Sequence, residues 1–260
     1  RFRTEVNSVE PVGSRFKVTL SDDDVREFGT VIVANGHLSD PRLPSFSGSF
    51  DGDEIHSHHY RTAGPFEDKR VMVVGLGNSA VDIAVDLARR TRHVFVSTRR
   101  SAWIMPKYLM GTPIDQVSGR LAKLSRLPTK YVRMVMSWLV RLGVGDQRRF
   151  GLPRPKHPMW REHATLSQEL LPYIGHGYIS VKPDIAELKS DRVRFVDGNE
   201  EEVDAIIYAT GYKVTFPFLS NSVFDPEIEA GRLYRRMVSL KHPNLIFAGL
   251  VQPVGPTIPL

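Results

Sequence analysis

Residues 69–100 read KRVMVVGLGNSAVDIAVDLARRTRHVFVSTRR, and this stretch decides the fold class. Val71-Met-Val-Val74 is a short apolar run of the kind that forms a fully buried strand. Gly75-Leu-Gly77-Asn-Ser-Ala80 follows at once. From Val81 to Arg90 the chain reads as a helix, with Val81, Ala84, Val85 and Ala88 on one face, and His93–Ser97 reads as a second strand. Strand, glycine loop, helix and strand make a complete β-α-β unit, the context in which G-x-G-x-x-A is specific for a dinucleotide. Gly75 permits the tight turn, Gly77 lets a pyrophosphate approach the backbone, and Ala80 lets helix and strand pack closely. The helix start then offers free N–H groups and the positive end of the helix dipole to an anion. Asn78 and Ser79 are expected to hold the pyrophosphate or to cap the helix.

The end of the second strand says which dinucleotide. An NAD site carries Asp or Glu there, roughly 20 residues after the first glycine, to hold the ribose hydroxyls. This chain has Ser97-Thr-Arg-Arg100 and no carboxylate. Arg99 and Arg100 suit a ribose 2′-phosphate, and Ser97 or Thr98 could donate to it. The predicted ligand is NADP.

Working outward, one pattern occurs twice. Arg15–Leu20 alternates with Phe16, Val18 and Leu20 on one face; an acidic turn Ser21–Asp24 follows, then an apolar strand Thr30–Ala34 ending in Asn35-Gly36-His37. Downstream, Arg192–Val196 alternates, Asp197-Gly-Asn199 makes a hairpin turn, and Val203–Tyr208 is an apolar strand ending in Ala209-Thr-Gly-Tyr212. Two related nucleotide-binding domains, each closed by this unit, account for the repetition. The first copy has no strand–glycine loop–helix ahead of it. Together with Arg1 in place of an initiator Met, that predicts a piece of a longer protein.

The 260 residues are 41% hydrophobic and 25% charged, ordinary for soluble globular chains. Cysteine is absent, which removes disulfides, thiolate metal sites and thiol–disulfide chemistry, and fits an intracellular, cytoplasmic setting. The His56, His58 and His59 run has no zinc-ligand spacing, so no metal is expected. The net charge of +6 is spread widely, with a concentration from Arg89 to Arg149, and reads as a solvated basic face rather than a nucleic-acid site. Residues 113–145 predict helices broken near Pro128. Leu121, Leu124, Val132, Met136, Leu139 and Val140 are the apolar positions, and Arg120, Lys123, Arg126, Lys130, Arg133 and Arg141 the basic ones. Packing is favoured over peripheral membrane contact for this segment. Residues 151–175, rich in Pro and His, read as an irregular loop.

Between the first closing unit and the glycine loop lies Phe50-Asp-Gly52-Asp-Glu-Ile-His56-Ser-His-His-Tyr60. It resembles the F-x-G-x-x-x-H-x-x-x-Y signature of the flavin-containing monooxygenase family (class B flavoprotein monooxygenases). The order around it matches too: Ala34-Asn-Gly-His37, Pro41 and Pro44, then the signature, then Gly75–Ala80, then Ala209–Tyr212. The resemblance implies an α/β fold of two Rossmann-like domains, with an NADPH domain inserted into a partial FAD domain. Residues 1–66 would be the later part of the FAD domain, 67–206 the NADPH domain with its helical insertion at about 113–145, and 207–260 the return, ending on the strand Asn244–Gly249. It implies that Ala34, Asn35, Gly36 and Gly249 line FAD. Phe50, Gly52, His56 and Tyr60 would sit at a domain junction, where Gly52 suits a sharp turn and His56 bonds a linker and helps position NADP. The implied activity uses NADPH, FAD and O2 to oxygenate a soft amine or sulfide through a flavin C4a-hydroperoxide. Few catalytic side chains are then needed, because the flavin carries the chemistry. Tyr60 stands where related Baeyer–Villiger enzymes carry Trp. Oxygenation of ketones by such an enzyme, N-hydroxylation of primary amines, and an NADP-binding module without oxygenase activity are the alternatives.

Overall fold

The computed structural model describes residues 2–125, 128–159, 161 and 164–250. The chain opens with three antiparallel strands, β1 (Val6–Val12), β2 (Arg15–Leu20) and β3 (Val25–Phe28), followed by β4 (Val31–Val33) and the short β5 (Asp40–Pro41). Next come β6 (Ser47–Phe50), β7 (Asp53–His56), β8 (Arg70–Val74), α1 (Asn78–Leu87) and β9 (His93–Ser97). Then β10 (Ile104–Met105) and a tight hairpin of β11 (Tyr108–Leu109) and β12 (Thr112–Pro113) lead into α2 (Ile114–Ser125) and α3 (Thr129–Val144). After them run β13 (Thr165–Leu166), α4 (Leu170–Gly175), β14 (Ile179–Lys182), β15 (Ile185–Ser190), β16 (Arg192–Phe195), β17 (Glu200–Glu202) and β18 (Ala205–Tyr208). The chain returns through β19 (Tyr212–Lys213), α5 (Pro226–Glu229) and β20 (Leu245–Phe247).

The described residues of these elements form two compact units, 2–42 with 211–250, and 43–210. The larger is organised by a five-stranded parallel sheet in the order β14-β9-β8-β18-β7. β8 is apolar without alternation because both of its faces are covered. Val71 and Val73 point into a core shared with Ala80, Val81, Ala84 and Leu87 of α1. Met72 and Val74 point the other way, against Ile185, Leu188, Val193 and Phe195 of the antiparallel strands. β18 divides in the same manner, Ala205 and Ile207 to one side and Ile206 and Tyr208 to the other.

The division differs from the sequence-based one near residue 66. β6 pairs with β15, Glu187 opposite Ser47, and β7 pairs with β18, Ala205 opposite Asp53. Residues 43–66 therefore belong to the unit of the glycine loop. The second boundary moves from 206 to 210, because Ala209 donates to the Val74 carbonyl at 2.9 Å while Tyr212 pairs with Pro41. The helical insertion divides at Pro128, and Val132, Met136 and Val140 are buried with Ile114. The side chains of Leu124 and Arg126 lie outside the described residues. Residues 151–175 are not wholly irregular: they contain β13 and α4, whose start is held by the Ser167 hydroxyl accepting from the amides of Glu169 and Leu170.

In the smaller unit β4 and β20 run parallel, Leu245 opposite Val31. Its core holds Phe16, Phe216, Phe224 and Phe247, the last two with ring centroids 4.1 Å apart. Each unit thus carries a three-stranded antiparallel element feeding a parallel strand: β1–β3 before β4, and β15–β17 before β18.

Candidate functional site

The glycine loop lies where β8 ends, next to the ends of β9 and β18. In the sheet order, the chain passes from β8 to β9 on one side and reaches β18 on the other. The loop therefore occupies the crevice at the carboxyl ends where the winding reverses, the usual ligand position in such sheets. Gly75 has φ +127°, and a Cβ there would lie 2.5 Å from the Ala209 carbonyl oxygen. Its N–H donates to the Ser97 carbonyl at 2.9 Å. Gly75 is thus required both for its conformation and for the approach of β18. Gly77 differs: its φ is −81°, and a Cβ there would meet nothing within 4 Å. It is the N-cap of α1, and no side chain caps that helix. Ala80, fully buried, packs the helix on the sheet. Open space above an uncapped helix start fits a dinucleotide pyrophosphate, which uses free N–H groups and a bare backbone.

Asn78 is the first helical residue rather than the cap. Its Oδ1 accepts from the Leu166 N–H at 2.8 Å, so the side chain is turned toward β13. Ser79 is exposed at the same helix start. Beyond β9 the expected phosphate donors divide. Ser97 is 1% exposed and its hydroxyl donates to the Pro183 carbonyl at 2.7 Å. Thr98 is 7% exposed and donates to the Arg100 carbonyl at 2.7 Å. Both hydroxyl hydrogens are taken by backbone carbonyls here, where phosphate donors were expected. They shape the turn instead. Arg99 and Arg100 are exposed on that turn, just past the strand end that accepts the Gly75 amide.

The F-x-G-x-x-x-H-x-x-x-Y residues all belong to the larger unit. Phe50 ends β6. A Cβ on Gly52 would meet the Asp204 carbonyl oxygen at 2.5 Å and the Phe50 ring at 2.6 Å, so space, not a left-handed turn, demands glycine there. His56 ends β7 and is 3% exposed; its Nδ1 accepts from the His58 N–H at 3.1 Å, which leaves Nε2 as the ring nitrogen that carries hydrogen. Tyr60 donates to Asp86 Oδ2 of α1 at 2.6 Å and stacks on Phe66. Burial first, and then that hydrogen bond, raise its phenol well above the ordinary range. The signature therefore braces the sheet edge and α1.

Ala209 and Thr210 close the larger unit, while Gly211, with φ +83°, accepts from the Arg42 amide and Tyr212 starts β19 in the smaller one. In that unit β4 is followed by exposed Ala34 and Asn35 and by Gly36 at φ +79°, and β20 by Gly249 at φ +89°. The Ala248 amide donates to the Val33 carbonyl at 2.8 Å, so the two small-residue turns sit together at the carboxyl ends of parallel strands. That arrangement fits one side of a second dinucleotide cradle.

A protein-family model described as flavin-binding monooxygenase-like matches residues 4–260. The chain belongs to this family. Its relatives include flavin-containing monooxygenase 5 of Rattus norvegicus, 36% identical over 90% of this chain and 45% of that protein. The N-oxide-forming dimethylaniline monooxygenase 2 of the same organism is 38% identical over 89% of this chain and 45% of that protein. Among solved structures, S-allyl-L-cysteine S-oxygenase from Allium sativum superposes with a TM-score of 0.59 at 25% identity, covering 95% of this chain and 44% of that one. The family member described here spans about half the length of the curated relatives it matches.

Two residues near the site carried no sequence signal. Gln147, 5% exposed, donates to Ser101 Oγ and to the Ala102 and Pro153 carbonyls, fixing the segment that follows Arg99 and Arg100. Thr165 donates to the Leu76 carbonyl at 2.7 Å. Both act across long stretches of chain, which local periodicity does not report.

Proposed function

We propose that residues 43–210 bind NADPH, that the smaller unit contributes one side of an FAD site, and that the whole serves an NADPH-dependent flavin monooxygenase. The oxygen acceptor in this reading is a soft nucleophile, an amine nitrogen or a sulfide sulfur, and the co-substrate is O2. One observation carries it: the glycine loop with its open, uncapped helix start at Gly77 is bonded through the Gly75 amide to Ser97, the strand end from which the exposed Arg99 and Arg100, with no carboxylate, follow. Family membership supplies the flavin. Bound FAD would supply the hydride acceptor for NADPH and the centre for O2 activation; the chain's part is to bind, orient and exclude water.

The residue roles follow. The amides at the start of α1, Gly77 to Ser79, receive the pyrophosphate. Arg99 and Arg100 pair with the 2′-phosphate. Gly75, Ala80 and Ala209 set the distance between loop, helix and β18. Tyr60 and His56 hold the edge strand and α1 in register, and Ala34, Asn35, Gly36 and Gly249 line the FAD side. The names of the rat N-oxide-forming dimethylaniline monooxygenase 2 and of the Allium sativum S-oxygenase support nitrogen and sulfur acceptors.

Calorimetric titration tests the nucleotide site. The chain is expected to bind NADP+ more tightly than NAD+. Arg99→Ala should weaken NADP+ about tenfold, the order expected for one lost charge-assisted pair, and leave NAD+ almost unchanged. Equal losses for both ligands would remove the 2′-phosphate assignment. Product analysis with NADPH, FAD and air separates the chemistries. N-oxide or sulfoxide supports this reading, lactone from a cyclic ketone supports the Baeyer–Villiger alternative, and binding without any product leaves an NADP-binding module.

A further inference from the structure

Thr165 lies 89 positions beyond Leu76 in sequence and is 2% exposed, yet its hydroxyl donates to the Leu76 carbonyl at 2.7 Å. A buried hydroxyl is costly unless it is bonded, and the hydrogen of this one is committed to the nucleotide loop. The Leu76–Gly77 peptide is planar and trans, so its C=O and its N–H point in opposite directions. Holding the carbonyl on Thr165 therefore aims the Gly77 N–H away from Thr165. Around Gly77 the space is open, since an added Cβ would meet nothing within 4 Å.

Neighbouring contacts make the support rigid. β13 runs parallel to β10, with the Thr165 N–H on the Trp103 carbonyl at 3.1 Å and the Ser167 N–H on the Met105 carbonyl at 2.9 Å. The Leu166 N–H donates to Asn78 Oδ1 at 2.8 Å, so consecutive residues of β13 grip the glycine loop and the first residue of α1. Without such a grip, a loop residue with no side chain is free to rotate its peptide plane.

We propose, resting on the nucleotide reading above, that Thr165 is a positioning residue that fixes the Leu76–Gly77 peptide so that the Gly77 amide is ready for a dinucleotide pyrophosphate. Its effect is exerted on a part common to NADP+ and NAD+, which sets it apart from Arg99.

The test is calorimetric titration of the chain with NADP+ and NAD+, at a temperature well below the melting midpoint of every variant used. Thr165→Val is expected to weaken both ligands by the same factor, about fivefold for one lost hydrogen bond, whereas Thr165→Ser keeps wild-type affinity. Thr165→Val binding both ligands like wild type would overturn the assignment. So would Thr165→Ser binding as poorly as Thr165→Val, because the methyl group rather than the hydroxyl would then matter. If the valine variant does not fold, Thr165→Cys replaces it, since a thiol is a weak donor. Weaker binding than Thr165→Ser supports the role, and equal binding overturns it. Wild-type chain that binds neither ligand would instead overturn the nucleotide reading, and the role of Thr165 with it.

Discussion

Gly75 and Gly77 sit two residues apart and answer to different constraints. Gly75 combines φ +127° with an Ala209 carbonyl oxygen 2.5 Å from any Cβ, so Gly75→Ala strains the backbone and pushes β18 from β8. A loss of about 2 kcal/mol in urea denaturation is expected, with a lower melting midpoint. Gly77 has an ordinary φ of −81° and open space, so Gly77→Ala should lower the melting midpoint only slightly, the small loss of alanine replacing glycine at an N-cap. Its methyl group would stand where the pyrophosphate approaches, so NADP+ affinity should fall about tenfold or more. A stable Gly75→Ala, or a Gly77→Ala that binds normally, would contradict this division. The glycine spacing was legible in the sequence because a strand and a helix flank it. The commitments of Ser97, Thr98 and Asn78 were not, because Pro183 and Leu166 reach them only through the tertiary fold, and the Arg100 carbonyl takes the Thr98 hydrogen only through the shape of the turn.

At the scale of elements, the start of β8 is tied to β18 by charge. Arg70 Nη2 meets Asp204 Oδ1 at 2.8 Å, the Arg70 amide donates to Asp204 Oδ2 at 2.7 Å, and the same guanidinium also pairs with Glu202. Those bonds from Arg70 hold both carboxyls below their ordinary values. A depressed carboxyl adds stability that is present above its unfolded value, near pH 4, and is lost as pH falls through the folded value. Asp204→Asn is therefore expected to cost about 1 kcal/mol at pH 7, a modest figure because the pair is partly solvated. The gap from wild type should narrow as the pH is taken below about 4. Urea denaturation at pH 7 and at pH 3 checks this, and a gap that stays constant would remove Asp204 as the titrating group. Sequence pattern located β8, α1, β9 and the Pro128 break because each is long or strongly periodic. It missed the membership of β6 and β7, since Ser47-Gly-Ser-Phe50 and Asp53-Glu-Ile-His56 lack apolar alternation. A polar edge strand is recognised only by its partner.

For the molecule as a whole, that edge decides where the chain divides. Reading residues 67–206 as the nucleotide domain leaves out β7, which covers the outer edge of β18, and β6, which covers the outer edge of β15. Removing them bares two strand edges at once, and unpaired edges next to buried apolar strands are templates for aggregation. It also removes Phe46 and Phe50 from the core that contains Met72, Phe95 and Tyr208, and Tyr60 from its bond to Asp86. Residues 43–210 keep every one of these contacts in a single continuous stretch. Expressed alone, 43–210 is expected to melt cooperatively and to bind NADP+ with the affinity of the 260-residue chain, while 67–206 is expected to be insoluble or to melt without a cooperative transition. Light scattering, thermal melting and NADP+ titration of the two pieces decide it. A soluble 67–206 piece that binds NADP+ normally would mean that β6 and β7 only lean against a domain complete without them. A 43–210 piece that folds but binds nothing would mean that the smaller unit supplies part of the nucleotide site.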